Sequence, residues 1–356
     1  MSDRLPMASI TEVARLAGVS TATASRVIGA TDYPVSPGTR QRVLDAVLAL
    51  DYVPNALARG LQKSRVAVVG VIVHDITDPY FAEVVRGVED AAGGEGYLVI
   101  TCSSDRDPVR ENSYVRLLRS MRASAVIFAG SGIDDPARNE ELRRHLDGMR
   151  AHGAAVVHLS PQAFGAPDVA VDNAAGIAAM IGALAELGHR RIAFLSGPPQ
   201  LYVARERLAG YRRGLLEQRI APDEELIVPT TFDRDGGRRG VDALLASGVS
   251  FSAISCANDL LALGALDRLA ERGIRVPQDV SVAGFDDISV AATTTPRLST
   301  VRLPLRDLGR RGFEHAARQL DGIAGDPAVL GTEVILRDST AAPPSAGTAA
   351  LSKGPA

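Results

Sequence analysis

Apolar residues in the first 52 positions recur at three- and four-residue intervals, which is the spacing of short amphipathic helices. Ile10, Val13, Ala14 and Ala17 share one helical face, and Gly18 can end that helix in a left-handed conformation. Residues that cap helices precede each periodic segment: Ser9, Ser20 and Ser36. The pattern therefore predicts three helices, over residues 10–17, 21–28 and 37 to about 51.

The pattern changes at Val66, where an unbroken and mostly β-branched non-polar run predicts a strand buried on both faces, over residues 66–73. From there to residue 285, short apolar runs alternate with longer amphipathic stretches. The further predicted strands are 97–101, 125–129, 155–159, 191–196, 253–256 and 280–285. The predicted helices are 80–92, 110–121, 139–151, 174–187, 204–218, 236–246 and 259–272. This alternation predicts parallel sheets with helices on both faces, and its length predicts two lobes.

Composition limits the classes of protein to consider. Apolar residues make up 46% and charged residues 23% of the 356, as in globular proteins. Two cysteines, Cys102 and Cys256, cannot form a disulfide framework, and no Cys/His cluster has zinc-ligand spacing. No apolar run reaches the roughly 18 residues of a membrane helix, and the N-terminus lacks the apolar core of a signal peptide. We therefore expect a cytoplasmic protein with no metal, no cofactor and no membrane partner.

Charge is distributed unevenly along the chain. Residues 1–65 carry eight Arg and Lys residues against five acidic ones, whereas the whole chain has a net charge of −3. A slightly basic head on an acidic body is a weak indication of nucleic-acid binding.

Two helices joined by a glycine turn within about 20 residues form the helix-turn-helix pattern. Ala14 is small where the helices cross, Gly18 makes the turn, and Val19 and Ala24 are apolar between the helices. The residues that would face outward from the second helix are Thr21, Ala22, Ser25 and Arg26. Such side chains suit phosphates and base edges in the major groove. An ordinary helical hairpin with a solvated polar face is the alternative.

Two segments together resemble the head and hinge of the lactose/galactose-repressor family of bacterial transcriptional regulators. They are ITEVARLAGVSTATASRVI at residues 10–28 and YVPN at residues 52–55, the latter followed by Ala58, Arg59 and Leu61. The resemblance covers about residues 8–340. It implies a homodimer that binds near-palindromic operator DNA, usually as a repressor, and a periplasmic-binding-protein-like body of two doubly wound parallel-sheet lobes behind the all-α helix-turn-helix head.

The resemblance also assigns residues to DNA contacts. It implies that Thr21, Ala22 and Arg26 read the major groove, and that a hinge helix over residues 56–62 lies in the minor groove with Leu61 as an apolar wedge. The full set of expected DNA-contacting residues is Thr11, Ser20, Thr21, Ala22, Thr23, Ser25, Arg26, Asn55, Ala58, Leu61 and Gln62. Gly29 departs from the family, since asparagine is common at that position.

The expected domains follow from the patterns and the resemblance together. Residues 1–52 form the head, 53–65 the hinge helix and linker, and 66–339 the effector-binding and dimerisation body. Lobe 1 comprises about residues 66–170 and 302–329, and lobe 2 about residues 171–301 and 330–339. Residues 340–356 are rich in Pro and Gly and are expected to form a disordered tail. The tail lacks leucine heptads, which favours a dimer over a tetramer.

Several side chains of the body stand where strands or helices end, which in two-lobed α/β proteins is where ligands bind. Three blocks match the family's ligand-contacting blocks: residues 207–210 (RLAG), 257–259 (AND) and 284–286 (GFD). The resemblance implies an effector site of Tyr80, Phe81, Ser160, Arg207, Phe232, Asn258 and Asp286. On residues alone, each has a structural alternative in packing, capping or solvation, and Asp259 is expected to cap its helix.

The chemistry of these groups fits a polyhydroxylated ring, because carboxylate and guanidinium form directional hydrogen bonds and an aromatic face covers C–H surface. We expect a sugar or sugar derivative, with a nucleoside or another non-sugar metabolite as the alternative. Ser160 and Ala129 replace an aspartate and an asparagine of sugar-responsive relatives. Leu201 and Val203 replace polar contacts of purine-responsive ones.

Other function classes lack the sequence features they require. No GxSxG, Walker or HExxH motif is present, so we expect no enzymatic activity. A transporter's solute-binding protein would need a signal peptide and no head. An enzyme with a nucleotide cofactor would need a glycine fingerprint after the first strand, and residues 73–79 contain no glycine.

Overall fold

The computed structural model describes residues 8–29, 34–52, 66–165 and 167–344. The predicted hinge helix over residues 56–62 lies outside this part of the chain. The same is true of four expected DNA-contacting residues: Asn55, Ala58, Leu61 and Gln62. By internal contacts the chain divides into two units, Met1–Val66 and Ala67–Ala356.

The first unit contains the three predicted helices, α1 (Ile10–Ala17), α2 (Thr21–Ile28) and α3 (Pro37–Ala49). Ser9 and Glu12 form a reciprocal capping box at the start of α1, and Gly18 ends α1 with a φ of 65°. Apolar residues from all three helices form a core of their own: Val13, Ala14, Ala17, Ala24, Val27, Val43 and Ala46. The head therefore has a packed interior independent of the body.

The first sheet of the body consists of β1 (Val66–Val73), β2 (Leu98–Ser103), β3 (Ala123–Phe128) and β4 (Ala155–His158), in the order β2-β1-β3-β4. The pairs β1–β2 and β3–β4 are parallel. Three helices connect the strands: α4 (Pro79–Gly94), α5 (Pro108–Ser120) and α6 (Pro136–Ala151). The strand order and crossover helices are those of a doubly wound lobe.

All three connecting helices begin earlier than predicted, because each starts with an Asp-Pro pair. Asp78, Asp107 and Asp135 cap α4, α5 and α6 with their side chains, and proline occupies the first turn of each helix. The predicted starts at residues 80, 110 and 139 were therefore late by one, two and three residues.

The second sheet consists of β6 (Ile192–Ser196), β7 (Ile227–Pro229), β8 (Ala253–Cys256) and β9 (Ser281–Ala283), all parallel, in the order β7-β6-β8-β9. Its helices are α7 (Asn173–Glu186), α8 (Tyr202–Glu217), α9 (Arg234–Ser247) and α10 (Asp259–Glu271). The two sheets confirm the predicted fold class.

Short strands and one long helix tie the lobes together, and sequence analysis missed them. β5 (Val169–Val171) pairs in parallel with β11 (Ala328–Leu330), and β10 (Thr300–Arg302) pairs with β12 (Glu333–Ile335). The helix α11 (Leu305–Leu320) returns to the first lobe and crosses α4 so closely that a Cβ on Gly309 would lie 2.0 Å from the Val84 carbonyl oxygen. The lobe boundaries given above stay a prediction.

The C-terminal segment corrects the prediction that disorder begins at residue 340. The Ser339 side chain is fully buried, and its hydroxyl donates to the Val282 carbonyl at 2.6 Å. The Ala341 amide donates to the Ser281 hydroxyl at 3.1 Å, and the Ala341 carbonyl lies 2.9 Å from His189 Nε2. Composition indicated a tail, but hydrogen bonds with the side chains of Ser281, His189 and Ser299 hold residues 340 and 341 in place. Residues 345–356 lie outside the described part of the chain.

No helix in the described segments is long and apolar enough to cross a membrane.

Candidate functional site

The structure brings all seven predicted effector residues into one pocket of the body. The residues are Tyr80, Phe81, Ser160, Arg207, Phe232, Asn258 and Asp286. Tyr80 and Phe81 begin α4 and Ser160 follows β4, so they belong to the first sheet's side. The other four belong to elements of the second sheet. We call the pocket residues from the first sheet's side the first wall and those from the second sheet's side the second wall. The pocket therefore lies at the carboxyl ends of strands from both sheets.

Arg207 and Asp286 form a buried ion pair at the centre of the second wall. Arg207 is on α8 and Asp286 follows β9; their Nη2 and Oδ1 atoms are 3.2 Å apart. Arg207 Nε also donates to Asn173 Oδ1 at 3.0 Å and Nη1 to the Ala257 carbonyl at 2.5 Å. The Arg207 guanidinium carbon lies 4.3 Å from the centre of the Phe285 ring. The guanidinium is thus fixed in one orientation by four contacts.

Asp286 is held in a backbone conformation that side-chain-bearing residues rarely adopt, with a φ of 119°. Such conformations cost about 1–3 kcal/mol and concentrate at functional sites. Burial raises the pKa of Asp286 well above its usual range, while Arg207 counteracts that rise. The adjacent Asp287 points elsewhere and pairs with Arg302 and Arg337.

Asn258 caps α10, which corrects the prediction that Asp259 caps it. The Asn258 Oδ1 accepts from the Leu261 amide at 3.0 Å, and so its amide nitrogen is the group left for a ligand. Asp259 is fully buried beneath the pocket, where its carboxylate accepts from Thr300 Oγ1 at 2.6 Å and from the Ile288 amide at 2.9 Å. Burial raises the pKa of Asp259 to about 7.

Aromatic rings cover two sides of the pocket. The Phe232 ring lies between two guanidinium groups, with the central carbons of Arg106 and Arg207 at 6.0 and 5.9 Å from its centroid. Tyr80 and Phe81 meet edge to face with centroids 4.9 Å apart. Burial raises the pKa of Tyr80, so its phenol stays protonated and can donate a hydrogen bond.

Sequence analysis missed four polar residues of the first wall: His74, Asp78, Arg106 and Ser131. Each lies within a few residues of the carboxyl end of β1, β2 or β3. The rule that located Asp286 and Asn258 at strand ends would have found them as well. Ala129, Leu201 and Val203 also line the pocket and supply its apolar surface.

In the head, the expected DNA-contacting side chains differ in exposure. Thr11, Ser20, Thr21, Ala22 and Arg26 are exposed, and Thr23 and Ser25 are half-buried. The Ser20 hydroxyl accepts from the Thr23 amide at 3.1 Å and lies 2.9 Å from the Thr23 hydroxyl. Ser20 therefore caps α2 through the Thr23 amide. DNA contact by any of these seven residues stays a prediction.

Family comparisons agree with both units. Residues 9–55 match the family described as bacterial regulatory proteins, lacI family, and residues 181–340 match the family described as periplasmic binding protein-like domain.

Individual proteins match over nearly the whole chain. The HTH-type transcriptional repressor PurR of Vibrio atlanticus (strain LGP32) is 35% identical over 308 residues, which is 86% of this chain and 90% of that protein. The complex of the transcriptional regulator CelR with cellobiose is 31% identical, with a TM-score of 0.67, and covers 93% of this chain and 99% of its own. The Lac repressor dimer bound to operator and the anti-inducer ONPF is 25% identical, with a TM-score of 0.81, over 94% and 99%.

Proposed function

The chain belongs to the LacI family of bacterial regulatory proteins, and we propose that it represses transcription by binding an operator whose affinity is set by a small molecule in the pocket. It is a helix-turn-helix transcriptional regulator, like the relatives that it matches over most of their length. In such a protein, effector and operator affinities are tied by a coupling free energy, typically about 1–3 kcal/mol, or roughly 5- to 150-fold in affinity.

One observation carries the assignment of the effector site. Seven residues chosen from six separate stretches of sequence line one pocket, which also contains the Arg207–Asp286 ion pair. The pocket offers directional donors and acceptors beside the Phe232 ring, which suits the hydroxyl groups and apolar faces of a carbohydrate. The CelR–cellobiose complex shows a regulator of similar structure with a sugar bound. We therefore take a sugar or sugar derivative as the effector class.

We infer the oligomeric state and the cellular location from the similarity to LacI-family regulators. The Lac repressor that matches this chain forms a dimer on its operator, and we propose a homodimer on a near-palindromic site for this chain. We further propose that it works in the cytoplasm, at the chromosome, and that the pocket binds its ligand without converting it.

The function is tested by linking the two binding events in the full-length protein. Rounds of selection from a random duplex library, followed by genomic matching, give a candidate operator. Thermal-shift screening of sugars and nucleosides gives candidate effectors, because a bound ligand raises the melting temperature. We expect at least one stabilising compound to change operator affinity about 5- to 150-fold by fluorescence anisotropy. Selection of no duplex sequence would contradict DNA regulation, and a stabilising nucleoside in place of a sugar would contradict the effector class.

A further inference from the structure

Arg106 is the one pocket arginine whose guanidinium makes no hydrogen bond or ion pair with another described residue. Arg207, by comparison, donates to three acceptors and is balanced by Asp286. Arg106 Nε is buried and without a hydrogen-bond partner. Its contact with the Phe232 ring, at 6.0 Å, places its guanidinium inside the pocket. Arginine stays protonated in proteins, so this is a partly buried cation whose donors are unused.

The acidic groups around Arg106 are engaged by other donors. Asp75 accepts from the Thr77 amide at 2.8 Å and Asp78 from the Tyr80 amide at 3.0 Å. Asp105 pairs with Arg110. Asp233 accepts from the Gly236 amide at 2.6 Å. Burial lowers the pKa of Arg106, and the charges of these carboxylates only partly offset that effect. None of the carboxylates accepts a hydrogen bond from the guanidinium.

The backbone that carries Arg106 is itself unusual. Asp105 and Arg106 have φ values of 51° and 58°, so two consecutive residues with side chains occupy the left-handed region. Asp286 and Asp287 do the same across the pocket, with φ values of 119° and 54°. Such backbone conformations are strained, and the chain accepts this strain where it directs Arg106 and Asp286 into the pocket.

His74 supplies a complementary observation. Its Nε2 lies 3.1 Å from the Ser131 carbonyl oxygen, which can only accept, so the proton is on Nε2. Burial lowers the pKa of His74 to about 3, and the ring is therefore neutral at pH 7 with Nδ1 as an acceptor. Nδ1 is buried without a partner. The first wall thus presents an acceptor for a ligand hydroxyl and a guanidinium for a ligand anion.

We infer that the effector carries an oxyanion, either a phosphate monoester or a carboxylate, which pairs with Arg106 while its hydroxylated ring contacts Arg207, Asn258 and Asp286. This inference rests on the proposed effector site and narrows its ligand from sugars in general to sugar phosphates or sugar acids. The planar guanidinium matches both oxyanions with paired hydrogen bonds, and hydrogen bonds to charged groups are about twice as strong as neutral ones.

The test uses matched sets of ligands on the full-length protein. Each set contains a neutral hexose or pentose, its phosphate monoester and its sugar acid, and a further pair contains a nucleoside and its 5′-monophosphate. Isothermal titration calorimetry at pH 7.5 compares wild type with Arg106→Gln and with Arg86→Gln. Arg86 is an exposed arginine on α4 that pairs with Glu89 and Asp90 and lies outside the pocket, so its substitution is matched in charge.

We expect the anionic member of one set to bind about tenfold or more tightly than its neutral counterpart, and Arg106→Gln to remove that difference. Arg86→Gln should preserve it. Comparison of the phosphate monoester with the sugar acid in each set identifies which oxyanion the protein binds. Equal affinity of neutral and anionic members, unchanged by Arg106→Gln, would overturn the inference and leave the proposed function standing. Binding by no member of any set would overturn the proposed function itself. If Arg106→Gln fails to fold, Arg106→Lys keeps the charge, and the ratio in wild type decides alone.

Discussion

Arg207 Nη2 lies 3.2 Å from Asp286 Oδ1, and the two side chains are only 6% and 5% exposed. The residues are 79 positions apart in sequence, and each depends on the other for its place in the pocket. A buried ion pair adds little net stability compared with apolar packing, whereas removal of one partner leaves an uncompensated buried charge. The pair therefore makes the pocket sensitive to single substitutions on either side.

Replacing Asp286 with alanine separates effector binding from DNA binding. Asp286→Ala should abolish the response to effector because the Arg207 orientation and one acceptor are lost. Operator affinity without effector should stay within about threefold of wild type, because the head has its own core. The free energy of unfolding of the body should fall by about 3–5 kcal/mol, measured by urea denaturation. Asp286→Asn keeps the side-chain shape and serves as the control, with a smaller loss of stability. A normal effector response in Asp286→Ala would reject the pocket assignment.

Replacing Arg26 tests the head in the same way. Arg26→Ala removes an exposed donor from α2 and should weaken operator binding by about 1–3 kcal/mol, which is roughly 5- to 150-fold. Effector affinity measured by calorimetry should not change. Arg15→Ala removes an exposed arginine from α1, outside the expected contacts, and should change operator affinity less than about threefold at the same salt concentration. Equal effects of the two substitutions would show that Arg26 contributes charge alone.

The buried carboxyl of Asp259 makes stability depend on pH. Its pKa is raised by burial to about 7, whereas the reference value is 3.8. Between these values the folded protein holds a proton that the unfolded chain has released, so this group's contribution to the free energy of unfolding decreases as pH rises from about 4 to 7. In Asp259→Asn the amide oxygen can accept from the Ile288 amide and the amide nitrogen can donate to Thr300, which mimics the protonated form. The wild-type urea midpoint should therefore fall between about pH 4 and 7 relative to that of the variant.

Asp267 supplies the control for this experiment, because it is an exposed aspartate on the same helix and pairs with Arg234 at the surface. Asp267→Asn should follow the wild-type pH profile. Parallel profiles for wild type and Asp259→Asn would contradict the assigned titration.

Replacement of glycine by alanine should have opposite effects on stability at two positions of the first lobe, Gly309 and Gly93. A Cβ on Gly309 would lie 2.0 Å from the Val84 carbonyl oxygen where α11 crosses α4. Gly309→Ala should therefore push the helices apart and lower the free energy of unfolding by about 1–3 kcal/mol. Gly93, near the end of α4, has nothing within 4 Å of its would-be Cβ, and Gly93→Ala should leave stability unchanged or raise it by up to about 1 kcal/mol. Thermal and urea unfolding of both variants check the pair, and a stable Gly309→Ala would contradict the close crossing.

Local sequence patterns were sufficient to predict most of the longer helices and strands. Caps and periodicity located α1 and α2 to the residue, and the β-branched run located β1 over residues 66–73. The three-residue strands β5, β7 and β10–β12 could not be predicted, because two or three alternating positions do not define a period and their pairing partners are distant in sequence. The arginine-rich α11 was missed as well; its apolar positions are few and are buried by contact with α4 and with strands β3 to β5.

The site was predictable in part. The residues of the second wall stand in distinctive blocks, so their association could be inferred. The strand-end rule would have located Arg106 and His74, but their role follows only from which donor and acceptor atoms remain unused after folding. An unpaired guanidinium is a property of three-dimensional neighbours, and no pattern along the chain reveals it.

The return of α11 to the first lobe sets an order for events on the ribosome. The head is complete by residue 52, yet the first sheet receives its last covering helix only when Leu305–Leu320 has been made. At about 5–20 residues per second, roughly 10–50 s separate the appearance of β1 from that of α11. Throughout this interval the apolar surface of α4 that α11 will cover stays exposed in the nascent first lobe. We expect a chain that ends before residue 305 to leave the first lobe without this helix and therefore incomplete.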